Sequence, residues 1–148
     1  MVLYFDEARV KQLLSVPELL QGVREALVAL TLGQVVQPLR MVMPIGEASN
    51  DGLLFLKPAQ LGDALSTKLI TLVPGNAQKG LPTLLSTIVL MDPATGQTLA
   101  VMEGNTITAM RTAAASAVAA DALVPRTPQV VAMLGSGDMT PVIRPVNN

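Results

Sequence analysis

Apolar residues recur in two rhythms along this chain, and the change of rhythm separates helical from strand-like stretches. Between residues 6 and 31 the spacing is helical. Asp6 is placed to cap a short helix that ends near Leu14. Ser15, Val16, Pro17 and Glu18 then fit the S-x-x-E capping pattern, with proline tolerated in the first turn. Leu19, Leu20, Val23, Ala26, Leu27 and Leu30 follow at helical spacing, and Gly33 is a stop signal.

From residue 38 the period shortens to two. Residues 38–44 alternate Leu39, Met41 and Met43 with Arg40 and Val42. Residues 46–52 form a polar turn, and residues 53–57 a short apolar strand. Residues 65–73 alternate again, with Lys68 on the face opposite Leu69. Glycines and prolines frame a loop between Pro74 and Pro82. Residues 84–91 and 97–102 flank Asp92-Pro93-Ala94-Thr95-Gly96, a hairpin connection. Residues 38–102 therefore predict a mostly antiparallel sheet. Residues 105–123 are almost all Ala, Thr, Ser, Val and Ile, which predicts a helix whose small side chains let another backbone approach closely. A linker at 125–128 leads to a short buried strand at 129–134, followed at once by Gly135-Ser136-Gly137. The expected class is α+β, a mostly antiparallel sheet with helices, followed by one further strand and turn.

Composition narrows the chemistry. The chain has 148 residues, a net charge of −1, half its residues apolar and 14% charged. That length suits one domain, or one domain and part of another. There is no His and no Cys. A Ser–His relay, a thiol nucleophile, an imidazole proton shuttle and a Cys/His zinc site are excluded together, as is a disulfide framework. The near-zero charge argues against nucleic acid as a partner. Three aromatics, Tyr4, Phe5 and Phe55, leave the core to aliphatic side chains. No apolar run reaches the roughly 18–20 residues of a membrane span. Asp6, Glu7, Arg9 and Lys11 do not make a signal peptide, so a cytoplasmic protein without membrane contact is expected. The high apolar fraction predicts a large buried surface or a buried interface.

Two features carry candidate chemistry. A strand running into Gly135-Ser136-Gly137 is how a dinucleotide-binding βα turn opens; the first glycine allows the turn and the second lets a pyrophosphate approach the backbone. An ordinary glycine turn gives the same short signal. The continuation departs from the pattern, with Asp138 close to where a pyrophosphate would lie, Thr140 in place of Gly or Ala, and Pro145 interrupting a helix. Eleven residues follow Gly137, whereas a βαβ unit takes about 30. The chain is expected to begin a nucleotide-binding fold without finishing it.

The second feature is a set of cations apart from the acidic residues: Arg40, Lys68 and Arg111. Arg40 and Lys68 are expected mid-strand in apolar surroundings. Arg111 lies in a small-residue helix with no carboxylate three or four positions away. Such cations either snorkel to solvent or converge on an anionic ligand. Lys57 reads as a rim charge without an assignment. The eight methionines read as core filler, and Asp92 and Glu103 as turn and loop residues rather than a catalytic pair.

The segments QPLRMVMP (37–44), STKLITLVPGN (66–76), GLPT (80–83), VLMDPATGQTLAVMEGN (89–105), ITAMRTAAASAVAADAL (107–123) and VVAMLGSG (130–137) occur in one order. With them the chain resembles the ornithine cyclodeaminase/mu-crystallin family, which includes ketimine (cyclic imino acid) reductases and an archaeal-type alanine dehydrogenase. The resemblance implies a substrate-binding and dimerisation domain over residues 1–124 and the truncated start of an NAD(P)-binding Rossmann domain over 128–148. It implies that Arg40, Lys68 and Arg111 hold the carboxylate of a small amino or imino acid, with Lys68 also assisting proton movement. It assigns Gly135, Ser136 and Gly137 to NAD or NADP, and it implies a homodimer formed through the sheet domain. The catalytic Asp of the cyclodeaminases has no counterpart in this chain. The expected function is that of an NAD(P)-dependent ornithine cyclodeaminase or ketimine reductase, with little or no turnover by this chain alone. The alternative is a non-catalytic module that binds small carboxylates or dimerises.

Overall fold

A computed structural model describes residues 1–46 and 51–124; the expected strand at 129–134 and Gly135, Ser136 and Gly137 lie outside the described residues. The chain opens with a short strand β1 (Leu3–Phe5), then helices α1 (Glu7–Leu13) and α2 (Val16–Thr31). Six strands follow: β2 (Val35–Val36), β3 (Met41–Ile45), β4 (Gly52–Leu61), β5 (Ala64–Leu72), β6 (Leu84–Met91) and β7 (Thr98–Glu103). Helix α3 (Asn105–Leu123) closes the described chain. The strands make one sheet in the order β1-β7-β6-β5-β4-β2, with β3 also paired to β4. Every pairing is antiparallel except β1 with β7. This is the expected mostly antiparallel α+β arrangement.

Local chemistry explains most boundaries. The Asp6 carboxylate accepts the Arg9 amide hydrogen at 2.8 Å and starts α1 as expected. Ser15 stands at the start of α2, but its side chain makes no capping bond, so the S-x-x-E pattern marks the boundary without closing a capping box. The Asp92 turn forms as read: its carboxylate accepts from the Ala94 amide at 2.8 Å and from the Thr95 hydroxyl at 2.9 Å. At the tip between β4 and β5, Gly62 takes a φ of +57°, which suits a residue without a Cβ.

Four expectations need correction. Strand β4 runs on to Leu61 instead of ending at Lys57. Pro58 does not break it, because β3 pairs with β4 through Leu56 and β2 begins at Gln60. Pro58 thus faces a gap between two edge partners, where a missing N–H costs no ladder bond. Strands β1 and β2, with three and two residues, are too short to show a period and went unread. The loop after β5 contains a 3-10 turn at Pro74–Lys79. Arg40 lies just before β3 rather than within it.

All three helices lie on one face of the sheet. Helices α1 and α2 both pack on α3, and α3 rests on β6. The small side chains of α3 make this close approach possible: Ala113 and Ala114 are 0% exposed. Val118, Ile70 and Ala100 complete an aliphatic core between helices and sheet. An ion pair between Arg24 and Asp121 ties α2 to α3 at the surface. The opposite face carries Met41, Met43, Leu54, Leu56, Leu69 and Leu85, and no described helix covers it.

Candidate functional site

The start of α3 fixes the site. Gly104 precedes the helix and has no side chain to cap it. Glu103, at the end of β7, caps it instead. One carboxylate oxygen accepts from the Asn105 amide, and the other accepts from the Thr106 amide at 3.0 Å. This placement is favourable beside the positive end of the helix dipole. The Ser86 hydroxyl, buried on β6, donates to the Asn105 side-chain oxygen at 2.9 Å. The Gly104 amide donates to the Ser86 carbonyl at 2.9 Å. A Cβ on Gly104 would lie 2.6 Å from the Ser86 hydroxyl oxygen and 3.0 Å from its backbone, so only glycine fits. These bonds set the rotation of α3 and turn Thr108 toward the sheet, with Arg111 one helical turn further on.

Lys68 reaches across from β5. Its Nζ donates to the Thr108 hydroxyl oxygen at 3.0 Å, and that hydroxyl donates in turn to the Gly104 carbonyl at 2.6 Å. Lys68 is half-buried, and its pKa is lowered from 10.5 to about 8. Burial is the largest cause, followed by the like charges of Arg111 and Lys57. Lys57 stands directly opposite Lys68 in the β4–β5 register, so both project from the helix-covered face. The ion pairs of the described residues, Lys11 with Glu7 and Arg24 with Asp121, involve none of these three cations. The result is a group of hydrogen-bond donors with net positive charge and no counter-ion among the described residues. Such a group suits an anionic ligand, above all a carboxylate, which accepts charge-assisted bonds from both ammonium and guanidinium.

A cleft of about 360 Å³ adjoins the cations, between α2, α3 and the end of the sheet. Its walls include Leu27, Leu30, Val35, Ala59 and Ser66, with Arg111 at its edge. Ala59 and Ser66 are the next residues on the same face along β4 and β5 from Lys57 and Lys68. The site therefore joins an apolar cleft to a cationic end.

Of the cations singled out in the sequence, the structure brings Lys68 and Arg111 together. Arg40 is exposed and sits over the Phe55 ring, 5.4 Å from its centroid. Phe55 is the next residue on the same face of β4 from Lys57, so Arg40 reaches the same face one step away. Lys57 is the member that sequence reasoning left unassigned. Its signal lay in pairing rather than spacing: two lysines opposed across antiparallel strands become visible once the register is known. Glu103 and Asp92 hold a helix start and a turn, in keeping with their non-catalytic reading.

Residues 3–144 match the ornithine cyclodeaminase/mu-crystallin family. A Delta(1)-pyrroline-2-carboxylate reductase of Burkholderia ambifaria is 35% identical over 133 residues, which is 90% of this chain and 42% of the relative. The ketimine reductase mu-crystallin of Mus musculus is 44% identical over 107 residues, 71% of this chain and 34% of the relative. Among solved structures, the Delta(1)-pyrroline-2-carboxylate reductase of Thermococcus litoralis, in complex with NADH and L-proline, superposes with a TM-score of 0.74 at 40% identity. That likeness covers 80% of this chain and 37% of the other. The chain spans less than half the length of each of these relatives. No helix among the described residues is long and apolar enough to cross a membrane.

Proposed function

Since this chain belongs to the ornithine cyclodeaminase/mu-crystallin family, we propose that residues 1–124 form the substrate-binding domain of an NAD(P)-dependent imino acid reductase or cyclodeaminase. On this reading residues 128–148 open the nucleotide-binding domain. The observation that carries the proposal is the meeting of Lys68 and Arg111 beside an apolar cleft, with no carboxylate among the described residues to neutralise them.

The ligand's carboxylate accepts from the Lys68 ammonium and the Arg111 guanidinium, and Arg40 completes the set from the β3 side. The aliphatic part of the amino or imino acid lies toward the cleft walls. Thr108 holds the Lys68 ammonium in position, because its own hydrogen is committed to the Gly104 carbonyl. Lys68 is mostly charged at neutral pH, with a pKa of about 8 in the free chain, and its ammonium is the proton donor to a nitrogen next to the reacting carbon. NAD or NADP, assigned to Gly135, Ser136 and Gly137, supplies the hydride when bound. The uncovered apolar sheet face is the dimer surface on this reading, and static light scattering should report twice the 15.5 kDa chain mass; a monomer at high concentration contradicts the dimer.

The test of the site is a calorimetric titration with L-proline and with pyrrole-2-carboxylate, a flat carboxylate mimic of a cyclic imine. Both should bind, and Arg111→Met should weaken binding roughly tenfold or more, the loss expected for a charge-assisted hydrogen bond. Equal binding by the variant contradicts the proposal.

A further inference from the structure

We propose that Lys57 is a specificity residue and that the site takes an amino or imino acid bearing a second carboxylate. The inference rests on the reading of the cation group as a carboxylate site and adds the class of substrate. Lys57 lies directly opposite Lys68 on neighbouring antiparallel strands, on the face covered by the helices. Like charges so placed repel one another. The sheet offers Lys57 no relief, since neither ion pair among the described residues includes it. Its neighbours on that face of its own strand, Phe55 and Ala59, have no acceptor side chain, and across the pair stand Lys68 and the neutral Ser66, so no opposite charge adjoins it there.

Charge balance then separates the ligand classes. A monocarboxylate between Lys68 and Arg111 satisfies one positive charge and leaves the Lys57 ammonium facing an excess of cations. A carboxylate accepts at two oxygens, and on the reading above Lys68, Arg111 and Arg40 already supply its donors. A second carboxylate, carried on the side chain, gives Lys57 an opposite charge and removes the repulsion across the strand pair. Ala59 beside Lys57 lines the cleft, so a side chain entering there passes within reach of Lys57.

The experiment compares matched amino acids by calorimetry on the full chain: L-aspartate against L-alanine, and L-glutamate against L-norvaline. The dicarboxylic member of each pair should bind roughly tenfold tighter, as for one added charge-assisted contact. Lys57→Gln should erase most of that ratio. Its thermal midpoint should be no lower than that of the parent, because the substitution removes a like charge and so keeps the fold. Equal affinities within each pair in the parent overturn the inference and leave the carboxylate site standing, provided pyrrole-2-carboxylate binds. Failure of every carboxylate, pyrrole-2-carboxylate included, overturns both. A dicarboxylate preference that survives Lys57→Gln also overturns it. So does a loss of NADPH binding in that variant with the amino acid ratios unchanged, which would place a cofactor phosphate at Lys57.

Discussion

Lys68 is held at a cost. Its pKa is lowered to about 8 from an ordinary 10.5, so folding disfavours its charged form. Below pH 8 both the folded and unfolded chains carry the proton, and the folded chain bears the full penalty. Between pH 8 and 10.5 the unfolded chain binds more protons, so this group makes stability rise with pH across that window. Lys68→Met should therefore raise the thermal midpoint at pH 7, by roughly 4 °C or more, and the gain should shrink as the pH approaches 10.5. A variant less stable than the parent at pH 7 contradicts this account. Stability given up at one side chain is what a ligand site asks for. Part of this was legible in the sequence. Arg111 stands out because no carboxylate lies within a helical turn of it, and Lys68 because it is the only charged residue of its strand. Lys57 was not legible, because what marks it is the residue across the sheet.

Among the elements, α3 does most to place the site, and its first turn is fixed by three consecutive residues. Glu103 caps it, Gly104 allows the close approach to Ser86, and Asn105 locks onto that serine and the Leu84 carbonyl. Gly104→Ala puts a methyl group 2.6 Å from the Ser86 hydroxyl oxygen. It should cost about 1–3 kcal/mol in chemical denaturation, as overpacking does, and should displace Thr108 and so weaken carboxylate binding. An unchanged denaturation midpoint contradicts the claim. Strand β6 and helix α3 were read from the sequence with their observed bounds, since clear turn residues and a sharp change of period frame them. The apolar run at residues 53–57 predicts a strand shorter than β4, which continues through Pro58 because of the gap between β2 and β3. That gap is a property of the sheet, which no local window contains.

At the scale of the whole molecule, the two faces of the sheet divide the work. The helix-covered face buries Ile70, Ala100 and Ser86 and presents the cations. The other face leaves Met41 60% exposed and Met43 and Leu85 46% exposed. This contiguous apolar face is the dimer surface proposed above. The high apolar fraction predicts a large buried surface or a buried interface, and part of the exposed apolar surplus lies on this face. The uneven legibility follows from range. Helices, hairpins and the α+β class come from local rhythm, whereas the meeting of Lys57, Lys68 and Arg111 needs the pairing of β4 with β5 and the docking of α3. The central claim is that these cations form a carboxylate site, and it is tested most directly by following the Lys68 ammonium by NMR through a pH titration, with and without saturating pyrrole-2-carboxylate. The account predicts a pKa of about 8 in the free chain, rising toward 10.5 when the carboxylate binds. A Lys68 that titrates identically with and without the ligand would contradict it.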